Sequence, residues 1–284
     1  PPVTAMLVQS SNPAVVAPES GEVRNGLMKD EMFLCVHEQF LTDTAKLADI
    51  VLPATTFLEH DDIYTSYGHP YLQMGPKILE PLGEARSNHD MISGLAKRLG
   101  AEHHAFGMSA WEVIDEILQT NGFGTADNLK EKRFIEIRPS FEENHFLSGF
   151  PHPDGRFRFR ADWSAQGPDH SALPDLPDFC DVIDQADDAR PFRLVTAPSR
   201  NYLNTSFTET DTSIANELAP KIQVNPADCL DLGVSDGDRV RIGNDRGDLV
   251  LRVQAFDGVE QGVAIVESIG WTTYAQLGCG SNAM

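Results

Sequence analysis

The sequence predicts an α/β chain in which a doubly wound parallel sheet is followed by an all-β barrel. Three observations predict it. Short, continuous apolar runs near the start alternate with polar, helix-like segments, the rhythm of parallel strands joined by crossover helices. A stretch rich in Pro and Asp, without periodicity, then interrupts the chain. Beyond Pro191, alternating runs follow one another with turn signals between them, as in an all-β architecture.

Taken in order, "AMLVQ" (5–9), "MFLCV" (32–36) and "DIVLP" (49–53) are expected strands covered on both faces. "GEVRNGLMKD" and "LTDTAKLA" between them read as short helices, with Thr42 placed to cap the second. Two stronger helices follow. "SNHDMISGLAKRLG" begins with Ser87 near Asp90 and stops at Gly100. "SAWEVIDEILQT" has the capping-box pair Ser109 and Glu112, with Ala110, Val113, Ile114, Ile117 and Leu118 on one core-facing stripe. Residues 1–150 are assigned to the α/β domain, 151–190 to an extended, solvated linker and 191–284 to the barrel. In the barrel, "FRLVTA", "KIQVN", "DRVRIGN", "GDLVLRV" and "GVAIVES" are strands. "NDRG" (244–247) is a hairpin turn, and "PADCLDLG" a short helical turn ending at Gly233.

Composition narrows the function. The formal charge is -21, from 43 acidic against 22 basic residues, which disfavours nucleic acid and anionic membranes as partners. With 41% hydrophobic residues the chain can bury a real core. Cys35, Cys180, Cys229 and Cys279 form no CxxC pair, so neither a metal cluster nor a disulfide framework is expected within this chain. No membrane span is expected. Neither "PPVTAM" nor "GCGSNAM" reads like a natural terminus, so a fragment is expected.

Candidate chemistry gathers where strands end, because open α/β sheets bind ligands beyond their carboxyl edge. "QSSNP" (9–13) is a tight turn whose amides either hold a phosphate or simply turn the chain. Glu38 in "VHEQF" either accepts hydrogen bonds from a ribose or the amide edge of guanine, or serves as a solvated cap. His60, Asp61, Asp62 and His69 are weighed as metal ligands and read instead as a polar loop lining a cleft. Arg200 in "SRNYLNTSF" either pairs an anion or lies on the surface. There is no "GxSxG", and no catalytic or metal-ligating residue is assigned.

Longer stretches carry a resemblance. "SNP", "HEQFLTDTAKLADIVLPATTFLEHDDIY", "GHPYLQMGPKILEPLGEARSNHDMISGLAKRLGAE", "APSRNYLNTSF", "VNPADCLDLGVSDGDRVRIGNDRG" and "GVAIVESIGW" resemble, in order, the carboxyl-terminal part of the catalytic subunit of molybdopterin oxidoreductases, the dimethyl-sulfoxide-reductase family. The motif style is similar to the biotin-sulfoxide-reductase-like and formate-dehydrogenase-like branch.

The resemblance implies the end of a Rossmann-like domain followed by a truncated six-stranded double-psi barrel. It implies a bis-molybdopterin guanine dinucleotide cofactor with molybdenum or tungsten, and two-electron redox chemistry in the full-length enzyme. Carried over residue by residue, it gives a cofactor-binding set: Ser11, Asn12 and Pro13 at the phosphate turn, Glu38 at guanine, then Thr42 and Thr44. Arg200, Leu203, Asn204 and Ser206 make the barrel loop, and Asn282 lies near a pterin. Most members carry the shorter Asp at the Glu38 position. The segments for the metal ligand and for an iron–sulfur cluster belong to an amino-terminal part that this sequence lacks, so this piece alone is expected to be inactive. A small-molecule substrate and an electron-transfer partner are implied. The cytoplasm is favoured, with the periplasm left open. Two other classes remain: a non-redox hydratase or transhydroxylase on the same scaffold, and a non-catalytic nucleotide-binding module.

Overall fold

Three parallel strands open the chain: β1 (Ala5–Gln9), β2 (Phe33–Glu38) and β3 (Ile50–Pro53), in that spatial order. Two helices, α1 (Pro13–Val16) and α2 (Ser20–Leu27), connect β1 to β2. One sheet face is packed. Val8, Leu34 and Val36 bury there with Ala14, Leu27 and Ala45. Full burial of aliphatic side chains such as Leu34 and Val36 stabilises by about 1.5–3 kcal/mol each. The computed structural model describes residues 2–160, 162, 163, 173–179, 185–217 and 220–267, which divide into two compact units. The first comprises the described residues of 1–56, 82–88 and 186–284, the second those of 57–81 and 89–185.

Two expectations for the first sheet are corrected. Its strands are not covered on both faces: Leu7, Phe33 and Ile50 are exposed. Leu7, Phe33 and Ile50 lie on the face opposite the helices, where only the carboxyl end of the sheet, at His37, is buried. The segment read as a second short helix is a single 3-10 turn, Ala45–Leu47, whose opening amide is taken by the Thr42 hydroxyl at 3.1 Å. Three residues are too few to propagate an α-helix without other support.

The second unit is built on the antiparallel sheet β4 (Asp62–Ser66), β5 (His69–Gly75) and β6 (Phe134–Glu136). Here too the sequence reading is corrected. "EHDDIY" and "GHPY" are not a cleft loop: most of their residues form a hairpin that turns at Tyr67 and Gly68. The acids and histidines obscured an alternation that places Ile63, Leu72 and Met74 against helices. Helices α3 (Asn88–Leu99), α4 (Ala110–Thr120), α5 (Ala126–Lys132) and α6 (Phe141–Asn144) complete this part. The Ser109–Glu112 capping box starts α4. Ile114 and Leu118 of α4 are buried with Leu72 and Leu129, and Trp111 packs against them. Ile117, expected on that stripe, is exposed, because the buried face is centred on Trp111, Ile114 and Leu118. The described residues of 151–190 carry no α-helix or strand.

After this stretch come β7 (Arg193–Ala197), α7 (Asp211–Glu217), β8 (Lys221–Val224), α8 (Pro226–Leu232), β9 (Arg239–Gly243), β10 (Asp248–Ala255) and β11 (Val263–Glu267). The strands form one mixed sheet in the order β7-β11-β8-β10-β9. It is not purely β, since two helices are interleaved with the strands. Period-two alternation buries Ile222 and Val224, Leu249, Leu251 and Val253, and Ala264 and Val266 in one cluster with Cys229. Asn225 caps α8, accepting from the Ala227 amide at 2.8 Å, and Pro226 opens it. Gly233 ends it at φ 67°, a left-handed position that a Cβ would strain. "NDRG" closes the β9–β10 hairpin as expected, with the Asn244 amide donating to the Gly247 carbonyl at 2.9 Å.

Candidate functional site: the carboxyl edge of the parallel sheet and the loop after β7

The three parallel strands end together at Gln9, Glu38 and Pro53, so the turns that follow them share one edge. After β1 the chain turns through Ser10 at φ 51°. Ser11 is exposed, whereas Asn12 is buried. Asn12 Oδ1 accepts from the Thr44 amide at 3.1 Å and from the Thr44 hydroxyl at 2.7 Å. The same hydroxyl accepts from the Ala14 amide at 3.1 Å. Asn12 and Thr44 therefore join the turn after β1 to the loop after β2, with Pro13 opening α1 between them. Thr42 and Thr44 are buried, spending their hydroxyls within the loops. The other end of the Asn12 amide is unspent. Its Nδ2 is buried without a hydrogen-bond partner among the described residues. An unpaired buried donor costs about 1–3 kcal/mol, a cost that an acceptor-bearing ligand would relieve.

Glu38 is half-buried at the end of β2. One carboxylate oxygen accepts from the Gln39 amide at 2.7 Å. The Gln39 side chain donates to the Thr55 carbonyl at 3.0 Å, which ties this bend to the end of β3. Burial pushes the Glu38 carboxyl above its ordinary value; the Gln39 bond opposes this and the Glu209 charge adds to it. Glu209 lies in the loop after β7, so that loop approaches Glu38 closely enough for their charges to interact.

Behind Glu38 sits His37, fully buried. Its Nε2 lies 3.2 Å from the Arg86 carbonyl and its Nδ1 lies 3.0 Å from Gln9 Nε2. A carbonyl only accepts, so Nε2 carries the proton and Nδ1 accepts from the glutamine amide. Burial lowers the ring's pKa; hydrogen bonds to the Arg86 and Pro53 carbonyls oppose this without cancelling it.

The loop after β7 carries the remaining expected residues. Arg200 and Leu203 are exposed. Leu203 and Ser206 exchange backbone hydrogen bonds at 3.1 and 2.8 Å across a two-residue turn, in which Asn204 takes φ 52°. Asn201 is held by Glu217 of α7, whose carboxylate accepts from the Asn201 side-chain amide at 3.0 Å. Asn282 lies outside the described residues. Every other expected binding residue belongs to the first unit. The second unit takes His60, beside Asp62 at 3.8 Å, and His69, bonded to Gln73 at 3.2 Å.

Two family models match the chain in order. The molybdopterin oxidoreductase model covers residues 2–98, and the molydopterin dinucleotide binding domain covers residues 192–283. The chain belongs to the molybdopterin oxidoreductases. A probable oxidoreductase, YoaE of Bacillus subtilis, is 33% identical over 95% of this chain and 39% of its own length. A dimethyl sulfoxide/trimethylamine N-oxide reductase of Rhodobacter capsulatus is 28% identical over 92% of this chain and 35% of its own length. The solved structure of an acetylene hydratase from Pelobacter acetylenicus shares the fold, with a TM-score of 0.79 at 20% identity, covering 99% of this chain and 39% of that one. The chain thus spans well under half the length of these relatives. No helix among the described residues is long and apolar enough to cross a membrane.

Sequence reasoning missed His37, Gln9, Gln39, Arg86, Glu209 and Glu217. His37 carries no signal of its own within an apolar strand, and its partner Arg86 lies 49 residues away. Glu217 is legible only as a carboxylate at the wrong end of a helix.

Proposed function

We propose that this chain forms the dinucleotide-holding part of a molybdenum or tungsten oxidoreductase with a bis-molybdopterin guanine dinucleotide cofactor. The single observation that supports this most is the buried Nδ2 of Asn12, unpaired among the described residues and held beside the edge that carries Glu38. In this reading the Asn12 amide donates to an acceptor of the cofactor, and Ser11 and Pro13 shape the turn around it. Glu38 turns its second carboxylate oxygen to the donor edge of guanine. The longer arm of Glu reaches where the family's Asp would sit closer. Arg200 pairs a phosphate, with Leu203, Asn204 and Ser206 beside it, while Thr42 and Thr44 hold the turns and Asn282 lies near a pterin. The sheet after β7 closes into a double-psi barrel. When bound, the cofactor supplies two-electron redox chemistry at its metal, and the residues of this chain bind and orient it.

A second reading, a non-redox hydratase on the same scaffold, draws on the fold shared with acetylene hydratase. Metal analysis of the full-length protein tests the common core of both. Stoichiometric molybdenum or tungsten is expected, and a protein that retains neither contradicts the proposal. Turnover of an electron acceptor alongside substrate then separates oxidoreductase from hydratase.

A further inference from the structure

The loop after β7 is fixed more firmly than a surface connection requires. Asn204 and Phe207 both adopt positive φ, at 52° and 67°. Such backbone conformations in non-glycine residues persist only where the surroundings impose them. Thr208 is fully buried and donates its hydroxyl to the Thr205 carbonyl at 2.8 Å. Thr210 does the same to the Phe207 carbonyl at 2.9 Å. Arg200, one residue before Asn201, is exposed.

The anchor of the other end of this loop is Glu217, the last residue of α7. A carboxylate there opposes the helix dipole, so helix formation alone does not account for it. It accepts from both the backbone amide and the side-chain amide of Asn201. Burial raises its pKa, and the Asn201 bonds, with the Ser199 hydroxyl and the Lys221 charge adding to them, outweigh this and leave the group below its ordinary value. The bond is therefore charge-assisted at neutral pH.

We propose that Glu217 is a positioning residue: by gripping Asn201 it sets the backbone from which Arg200, Asn204 and Ser206 meet the anionic part of a dinucleotide cofactor. The inference rests on the reading of this loop as a cofactor loop. Glu217 touches no ligand in this account and acts only through Asn201.

The test uses the full-length protein purified with its cofactor, following cofactor release on dilution by pterin fluorescence. Glu217→Ala removes both Asn201 hydrogen bonds and is expected to release the cofactor at least about tenfold faster. Glu217→Gln keeps an acceptor oxygen of the same reach and is expected to stay close to the wild-type rate. Asn201→Asp sets two carboxylates against each other and should match Glu217→Ala. Adding Glu217→Gln to it restores a donor and should restore slow release, which a generally loosened fold would not do. If Glu217→Ala fails to fold, the Asn201→Asp single and double variants carry the same comparison. Folded variants that all release at the wild-type rate overturn the inference while leaving the cofactor reading intact. A wild-type protein that never contains a pterin overturns that reading, and this inference with it.

Discussion

Thr44 gives both its backbone amide and its hydroxyl to Oδ1 of Asn12, at 3.1 and 2.7 Å. A motif read as two ligand contacts is thereby also a structural clip between two loops. Because Oδ1 is committed to Thr44, the amide nitrogen of Asn12 is fixed in direction, and it is the end left without a partner among the described residues. Thr44→Val keeps the shape, removes the hydroxyl and strips the Ala14 amide of its acceptor. The expected loss is about 1–3 kcal/mol of stability, the cost of leaving buried polar groups unpaired. Urea denaturation measures it, and an unchanged midpoint contradicts the clip.

Glu38 sets binding against stability. Its folded pKa is raised, so the unfolded chain releases the proton first as pH rises. Its favourable contribution is fully present below the unfolded value and is lost as pH rises through the folded value. At neutral pH the ionised, half-buried carboxylate costs stability. Glu38→Gln is therefore expected to raise the melting temperature at pH 7, an advantage that disappears in mild acid. The same variant is expected to weaken binding of the guanine end by about tenfold or more, because two hydrogen bonds to a charged acceptor are impaired. Calorimetry at two pH values reads the first effect and nucleotide titration the second.

How much of this was legible in the sequence differs by element. The apolar runs located β1 to β3, and the Ser109–Glu112 box started α4 where it was expected. These signals are local. The hairpin of β4 and β5 was not legible, because its acids and histidines resemble a ligand-lining loop while the residues that identify a strand alternate between them. The site was legible only as isolated side chains. That Asn12 is buried against Thr44, or that Glu209 stands near Glu38, depends on chain pairings 30 and more residues apart, which no local pattern encodes.

His37 gives the first unit an acid sensitivity. Its folded pKa is depressed, so its contribution is present above the unfolded value of about 6.5 and is lost as pH falls through the folded value. Protonation also places a donor on Nδ1 against the Gln9 amide nitrogen. Stability is expected to fall from pH 7 to pH 5, and His37→Gln to flatten that slope. A variant with the wild-type slope would assign the acid sensitivity elsewhere.

Leu118 tests the second unit. It is fully buried in the cluster with Leu72, Ile114 and Leu129. Leu118→Ala is expected to cost about 2–5 kcal/mol through lost transfer energy and the cavity left behind. Denaturation followed by tryptophan fluorescence, to which Trp111 on this cluster contributes, measures the change, and an unchanged midpoint contradicts it.

The most direct test of the central claim is the identity of the nucleotide that the full-length protein carries. Denaturation and hydrolysis of the purified protein should release guanosine monophosphate in proportion to its metal. Release of adenosine or cytidine monophosphate instead, or of no nucleotide from metal-loaded protein, would contradict the assignment of Glu38 and Asn12 to a guanine dinucleotide.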